Sequence, residues 1–513
     1  CSCSKDVVDL SDPQNFNEGK YYSNLKECQE AVVAVYSNLV DPGMDKYFFK
    51  IVDGLGQEMS LLTGTEPTQI QFNKYNVDAN NPLNAWLWKS FYRHIWRASF
   101  ALEKLENWQP TLDSEKQLKN YMIGECKFFR AWSYYYLIHL YGDVPMHLTA
   151  NDIRNNPAKP VTSTDEIGTK VIVPELQSAI ELLPSKWESK FLGRVTKGAA
   201  QTYLAKYYLW AGRYQDALPL LNNVITNSEA AYTYSGDFYG MFSADNNRTN
   251  PEIIMQTIHD ISDASSLWFY FLIDYHEKVG KNSFNSKMCY YARNDMVDFP
   301  LTDAAVSNAA ASQFVYPLSG ESYTDPRAAL SFYGGKNIPD GASLGATTYK
   351  GGNWPYQPFV DGKTNTGYML KKYMPFENIA KISCFGGNAG KNSTVWTRLT
   401  DVKLLLAEAK IFTSDLPGAF SLINEVRTRQ AVNARPYTGS FANTDDAFKA
   451  LMKERYVELA FEQQHWFDLR RWDKQGKINM VAQIAAESGK TMSASAKTLP
   501  IPQAEKDTNP YIK

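Results

Sequence analysis

No apolar run in this chain approaches the ~20 residues that a membrane-spanning helix needs. Charge of one sign is equally scarce. The 513 residues carry 53 Lys and Arg against 55 Asp and Glu, a net of −2, with no long basic run. The phosphate-neutralising surface of a nucleic-acid binder is therefore missing as a global feature. The six histidines are scattered, and none of the six cysteines forms a CxxC pair, so the spacing of a structural zinc site is absent. No Ser nucleophile elbow, HExxH or P-loop pattern occurs either. Aromatic residues, in contrast, are plentiful: 32 Tyr, 26 Phe and 12 Trp. Some of these belong to a core, and the rest are available for stacking on a ligand.

The chain begins CSCSKDVVDL. A cysteine at position 1 ahead of a short polar segment fits a mature bacterial lipoprotein, cleaved before the cysteine that carries its acyl chains. Cys1 is the expected lipidation site and Cys3 its rival. Acyl chains hold a protein to a membrane face without a spanning helix. Residues 1–22 then read as a tether, residues 23–227 as a helical-repeat region, 228–400 as a loop-rich insert, and 401–513 as a second helical region with a tail. Together they are expected to form one continuous globular unit.

Helical patterning is clearest in residues 25–39, 85–108 and 113–141. Gly142 stands where the last of these wants a left-handed cap, and Asp113 or Ser114, with Gln117, would open it as a capping box. Residues 48–84 read as loops. Pro174 predicts a kink or break within a helix over 165–183. Residues 196–227 and 400–429 each read as a helix-turn-helix. Ala205, Ala217 and Val224 stand at intervals of twelve and seven, and so do Ala407, Ala419 and Val426. Small residues at those places let two antiparallel helices approach closely, which is tetratricopeptide-type spacing. Between the two pairs, Gly, Asn, Ser and Asp rise and aromatics cluster. A long irregular insert in a helical chain usually carries function. Trp132, Trp210, Trp396, Trp466 and Trp472 fall within helix patterns and are expected in the core, as is Cys126. The final residues, TLPIPQAEKDTNPYIK, read as an extended tail.

Residues 451–472, LMKERYVELAFEQQHWFDLRRW, contain no Gly or Pro and predict a single, largely buried helix. Glu454, Glu458 and Glu462 recur every four residues and would line one face. A carboxylate row can look catalytic. Buried among apolar residues, it reads better as an ion network, because an unpaired buried charge costs several kcal/mol.

Several segments together resemble the SusD/RagB family of nutrient-binding outer-membrane lipoproteins. ERYVELAFEQQHWFDLRRW is similar to that family's C-terminal signature. FFRAWSYYYLIHLYGDVPM from Phe128 resembles its helix ending in Tyr-Gly-Asp-Val-Pro. TDVKLLLAEAK, NPEIIMQ from Asn250 and LPIPQAEKDTNP resemble further family segments. Two departures stand out: Gln463 replaces the family's usual Gly, and His465 its usual Arg. The resemblance implies a mainly α fold, a tetratricopeptide-like scaffold of about four helix pairs with a loop-rich ligand face and few short strands. It also implies a partner, a SusC-type TonB-dependent barrel in the outer membrane, with the lipoprotein facing outward. No catalysis and no cofactor are expected. TGTEPTQ from Thr63 could ligate structural calcium, though no EF-hand spacing is present.

Glycan recognition needs flat apolar platforms ringed by a few polar groups. The aromatics of the irregular regions meet that need: Trp268, Tyr270, Tyr290, Tyr291, Trp354 and Tyr356. Arg293, Asn294 and Asn353 are their polar neighbours, and Trp86 joins them at the start of a helix. Satellite core packing is the competing reading for each. A glycoside hydrolase using the Glu454–Glu458–Glu462 row and a helical-repeat adaptor are the rival functions, and peptide is the alternative cargo.

Overall fold

The computed structural model describes residues 22–41, 43–44, 46–61, 67–242, 248–259, 304–306, 308–333, 348–349, 352–353, 369–370, 372 and 393–512. Helices dominate, and the strands are short and joined in two-stranded antiparallel pairs. The scaffold is a row of packed helices. Pro82–Asn107 lies against Asp113–Tyr141, and that helix packs on Val173–Leu182. Lys197–Trp210 then pairs with Tyr214–Thr226, and Leu399–Phe412 with Leu416–Thr428. Tyr214–Thr226 also packs on Leu399–Phe412, so the row continues directly across the insert.

The local chemistry explains these elements. Thr196 accepts from Ala199 N to cap one helix, and Asp415 accepts from Gly418 N to cap another. Gly212 makes its turn at φ 72°, where a Cβ would be strained and would also meet Gln475 Oε1. Ala205, Ala217, Val224, Ala407, Ala419 and Val426 are all completely buried, as their spacing predicts. Asp113–Tyr141 ends at Gly142 with φ 77°. Its start differs from the expected capping box. Leu112 is the N-cap residue, without a side-chain bond, and Gln117 donates to the Tyr121 hydroxyl. The break at Pro174 takes the form of a wide turn over Gly168–Ile172, which leaves the proline in the first turn of Val173–Leu182.

Three other expectations need correction. Residues 48–84 are not simply loops, since they hold the helices Lys46–Leu55 and Pro67–Asn73. Phe48, Phe49, Ile51, Val52 and Leu55 of the first are buried, while Asn and Gln serve the turns around it. Asn73 Nδ2, for example, donates to Gly54 O at 3.1 Å and Met59 O at 2.9 Å. The tail is not wholly extended: Gln503–Thr508 is a short helix, and Leu499 N donates to Leu140 O. Trp396 is buried as expected but sits on a strand, Thr394–Arg398, which pairs antiparallel with Ile253–Thr257. Its ring is 5.0 Å from Trp132, edge to face, inside the main aromatic core.

Residues 451–472 are also not one helix. Thr444–Leu459 and His465–Lys474 are separated by an elbow at residues 460–464. Phe461 (φ 64°) and Gln463 (φ 57°) both adopt left-handed backbone there. Neither residue favours that region, so tertiary contacts hold it. Phe461 N donates to Glu58 Oε1 at 2.8 Å, and Gln463 Nε2 donates to Asp53 Oδ2 at 3.1 Å. Gln463 therefore fills by side-chain bonding the position where the resembling family uses glycine. A second small core, including Phe314, Phe332, Tyr456, Val457 and Phe461, closes the outer side of the elbow.

Candidate functional site

The carboxylate row does converge, but as a closed charge lattice. Arg327, fully buried, donates Nε to Asp325 Oδ1 at 2.8 Å and Nη2 to Asp325 Oδ2 at 2.7 Å. Its Nη1 reaches both Glu454 and Glu458. Arg427 Nη1 donates to Glu454 Oε2 at 2.7 Å, and Arg429 pairs with Glu458. Arg398 clasps Glu462 through Nε at 2.8 Å and Nη2 at 2.9 Å, and reaches Glu252 at 2.8 Å and Glu458 at 2.9 Å. Lys372 Nζ donates to Glu462 Oε1 at 2.7 Å and to Ala460 O at 2.9 Å. Five carboxylates (Glu252, Asp325, Glu454, Glu458, Glu462) thus face five cations (Arg327, Lys372, Arg398, Arg427, Arg429). The bidentate guanidinium geometry makes the Arg327–Asp325 and Arg398–Glu462 contacts strong and specific.

Burial alone would push the Glu458 carboxyl up. The guanidiniums of Arg429, Arg398 and Arg327 overcome that and hold it well below the usual carboxylate range. A smaller lattice repeats the scheme beneath the next helix. Arg455 does not pair with Glu458, three residues on. It donates to Asp468 at 2.7 Å and Asp401 at 3.0 Å. Lys206 also meets Asp401, and Arg471 meets Glu408 and Asp468.

Sequence reading missed a second acidic feature. Asp53 and Glu58 are both buried, and each influences the other's carboxyl. Burial raises both, and the Asp53 charge raises Glu58 further. Asp53 Oδ1 and Glu58 Oε2 find no donor elsewhere among the described residues. The pair also accepts from the elbow at Phe461 N and Gln463 Nε2, so it props the left-handed turn. No signal for it was visible in a stretch that reads as loop.

Of the aromatics expected to bind ligand, Trp86 is the one whose side chain is described. It is 38% exposed, on the Pro82–Asn107 helix, with its ring 5.4 Å from Tyr47. Asn353 falls on the strand Gly352–Asn353, which pairs with Thr348–Tyr349. Trp268, Tyr270, Tyr290, Tyr291, Arg293, Asn294, Trp354 and Tyr356 lie outside the described residues, as do Cys1, Cys3 and the TGTE stretch from Thr63. Both strands that flank the main part of the insert are anchored in the lattice. Glu252 stands just before Ile253–Thr257, and Arg398 ends Thr394–Arg398.

Comparison with known proteins supplies the wider frame. Residues 251–513 match a family model described as the SusD family, and residues 19–209 match one described as "Starch-binding associating with outer membrane". The chain is 24% identical over 427 residues to SusD-like protein P2 of Formosa agariphila, covering 80% of this chain and 75% of that one. A SusD-like carbohydrate binding protein from Bacteroides fragilis superposes with a TM-score of 0.73 at 17% identity, covering 96% of this chain and 99% of the other. A laminarin binding SusD-like protein superposes with a TM-score of 0.71 at 22% identity, covering 95% and 98%. Scaffold and sequence matches lead to one conclusion: the chain belongs to the SusD family.

Proposed function

We propose that this protein is a non-catalytic, surface-anchored glycan-binding lipoprotein. It captures oligo- or polysaccharide and passes it to a SusC-type TonB-dependent barrel in the outer membrane. Acyl chains on Cys1 would tether it, facing outward. Membership of the SusD family carries this reading, together with a matching family model described as starch-binding and solved neighbours named for laminarin or carbohydrate binding. The ligand face would be built from Trp86, Trp268, Tyr270, Tyr290, Tyr291 and Trp354, with Tyr356, Arg293 and Asn353 beside them. Half-exposed Trp86 on a rigid helix is the sort of platform a pyranose ring stacks on.

A hydrolase using the 454–458–462 row is disfavoured by geometry. Glycoside hydrolysis needs two carboxyls facing one substrate across a gap. Here all three carboxylates are buried and bound to cations. Calorimetry with laminarin and starch oligosaccharides, run beside a reducing-end assay, tests the reading. Saturable binding without new reducing ends is the expected result, and Trp268→Ala or Trp354→Ala should weaken it at least tenfold with the melting temperature nearly unchanged. Release of shorter chains would overturn it. Unfolding of both variants would place those residues in the core.

A further inference from the structure

A second concave site lies on the C-terminal part of the scaffold, formed wholly by described residues. It is a cavity of about 570 Å³ between the Val315–Leu318/Glu321–Thr324 hairpin, the loop at residues 437–442 and the Thr444–Leu459 helix. That volume is within the roughly 300–1,000 Å³ of small-molecule pockets. Tyr437, Phe441 and Phe420 form an aromatic wall, with Phe441 5.2 Å from Phe420 and 6.1 Å from Tyr437. Exposed hydroxyls stand at its rim on Ser319, Thr438 and Ser440.

The wall is held rigidly from behind. The Arg427 guanidinium sits 4.5 Å from the Tyr437 ring centre, and Asn424 brackets the Tyr437 backbone with bonds of 3.0 and 2.8 Å. Tyr316, on the floor, donates its hydroxyl to Asp325 Oδ2 at 2.7 Å. The buried lattice thus preorganises this surface.

Charge decides the ligand class. Lys453 is half-buried in the cavity, 5.4 Å from the Tyr316 ring centre, and donates only to Gln313 O and Oε1. Among the described residues no carboxylate lies within ion-pair distance of it, and the same holds for Lys449 at the mouth. Asp446, the cavity's carboxylate, is exposed and accepts from Asn443 Nδ2 at 3.1 Å. Two lysines against one engaged carboxylate leave a cationic cavity.

We infer that this cavity is a separate saccharide site that takes a sugar bearing an anionic substituent, a uronate or a sulfate ester. The sugar face stacks on Tyr437 and Phe441, the rim hydroxyls meet its hydroxyls, and Lys453 with Lys449 receives the negative group. Burial lowers the Lys453 ammonium to about 8, with Glu487 and Asp325 opposing the fall. Asp446 and Lys449 are the charged groups facing it on its own helix. Bound anion would therefore be lost as pH rises past 8.

The test is calorimetry on the full chain with digalacturonate, a sulfated galactose disaccharide, the neutral galactose disaccharide and inorganic sulfate. At least one anionic disaccharide should bind saturably, ten or more times tighter than the neutral one or sulfate alone. Which of the two it is identifies the substituent. Lys453→Met, and separately Ser440→Glu at the exposed rim, should each weaken it at least tenfold, and raising the pH from 7 to 9 should weaken it by up to about tenfold. Trp354→Ala, which tests the proposed ligand face, should leave it intact. Equal affinity for neutral sugar or bare sulfate, no saturable binding of either anionic disaccharide, or indifference to both substitutions would overturn the inference.

Discussion

Replacing Glu458 by Gln removes one negative charge and almost no volume, so it isolates the electrostatic role of the lattice. Glu458 faces Arg327, Arg398 and Arg429. The variant leaves five buried cations against four carboxylates. Breaking a buried pair on one side typically costs about 3–5 kcal/mol, because the orphaned charge stays in a medium that solvates it poorly. Unfolding entropy near 2.1 cal/mol/K per residue amounts to about 1 kcal/mol/K for a chain of this length. The melting point should therefore fall by only about 3–5 °C, and urea unfolding at pH 7 is the more sensitive assay. The midpoint should drop with an unchanged slope. The pH dependence gives an independent check. Folding holds the Glu458 carboxyl below its ordinary value of 4.5, so its contribution is complete above that pH and is lost as pH falls through the depressed folded value. The gap between the two proteins should narrow below about pH 4.5. Adding Arg429→Met restores the charge balance and should recover part of the loss. A deficit under about 1 kcal/mol at pH 7 would refute the idea that these groups act as a compensated buried lattice.

The elbow and its acidic prop give further expectations. Asp53→Asn should stabilise the protein at pH 8 and change it little at pH 5. Burial raises both carboxyls, so the folded state binds more protons than the unfolded one and stability declines as pH rises; a variant less stable than the parent at pH 8 would refute the cost assigned to this buried acidic pair. Gln463→Ala keeps the left-handed strain while losing the bonds to Asp53 and Phe461 O, and should cost about 1–2 kcal/mol in urea unfolding. Gln463→Gly loses the same bonds but relieves about 1 kcal/mol of strain, so it should be the more stable of the two; the reverse order would mean that the strain is absent.

Sequence legibility followed the range of the forces. The helix pairs were readable because Ala205, Ala217 and Val224, and their counterparts Ala407, Ala419 and Val426, encode close approach within some twenty residues. The elbow was not, because nothing local breaks a helix at Phe461. The donor bond that turns the chain there goes to Glu58, 403 positions away. The carboxylate row was visible but its cations were not, since Arg327 lies 127 residues from Glu454 and Arg398 lies 64 from Glu462. Buried apolar context was enough to favour pairing over catalysis without naming the partners. The helix Lys46–Leu55 was hidden by the Gly, Asn and Gln that follow it, which serve turns rather than disorder. For the proposed ligand face, composition indicated aromatics in irregular segments; of the aromatics named, Trp86 is the one whose side chain is described, 38% exposed on a helix.

The pairing of Ile253–Thr257 with Thr394–Arg398 has a consequence for how such a protein changes over time. Thr257 and Thr394 are register partners, so the chain leaves the scaffold and re-enters it at one doorstep. Loop-closure entropy rises by only about 0.6 kcal/mol for each doubling of length. Both ends remain clamped through Glu252 and Arg398, so what lies between the two strands can lengthen or shorten, provided that Asp325, Arg327 and Lys372 keep their places in the lattice and Phe314 and Phe332 theirs in the small core. The helical row then acts as a chassis whose insert can vary in length without the row being refolded around it. A segment transplanted between these two strands would have to bring counterparts of Arg327 and Lys372, or Glu454 and Glu462 would each lose a cation.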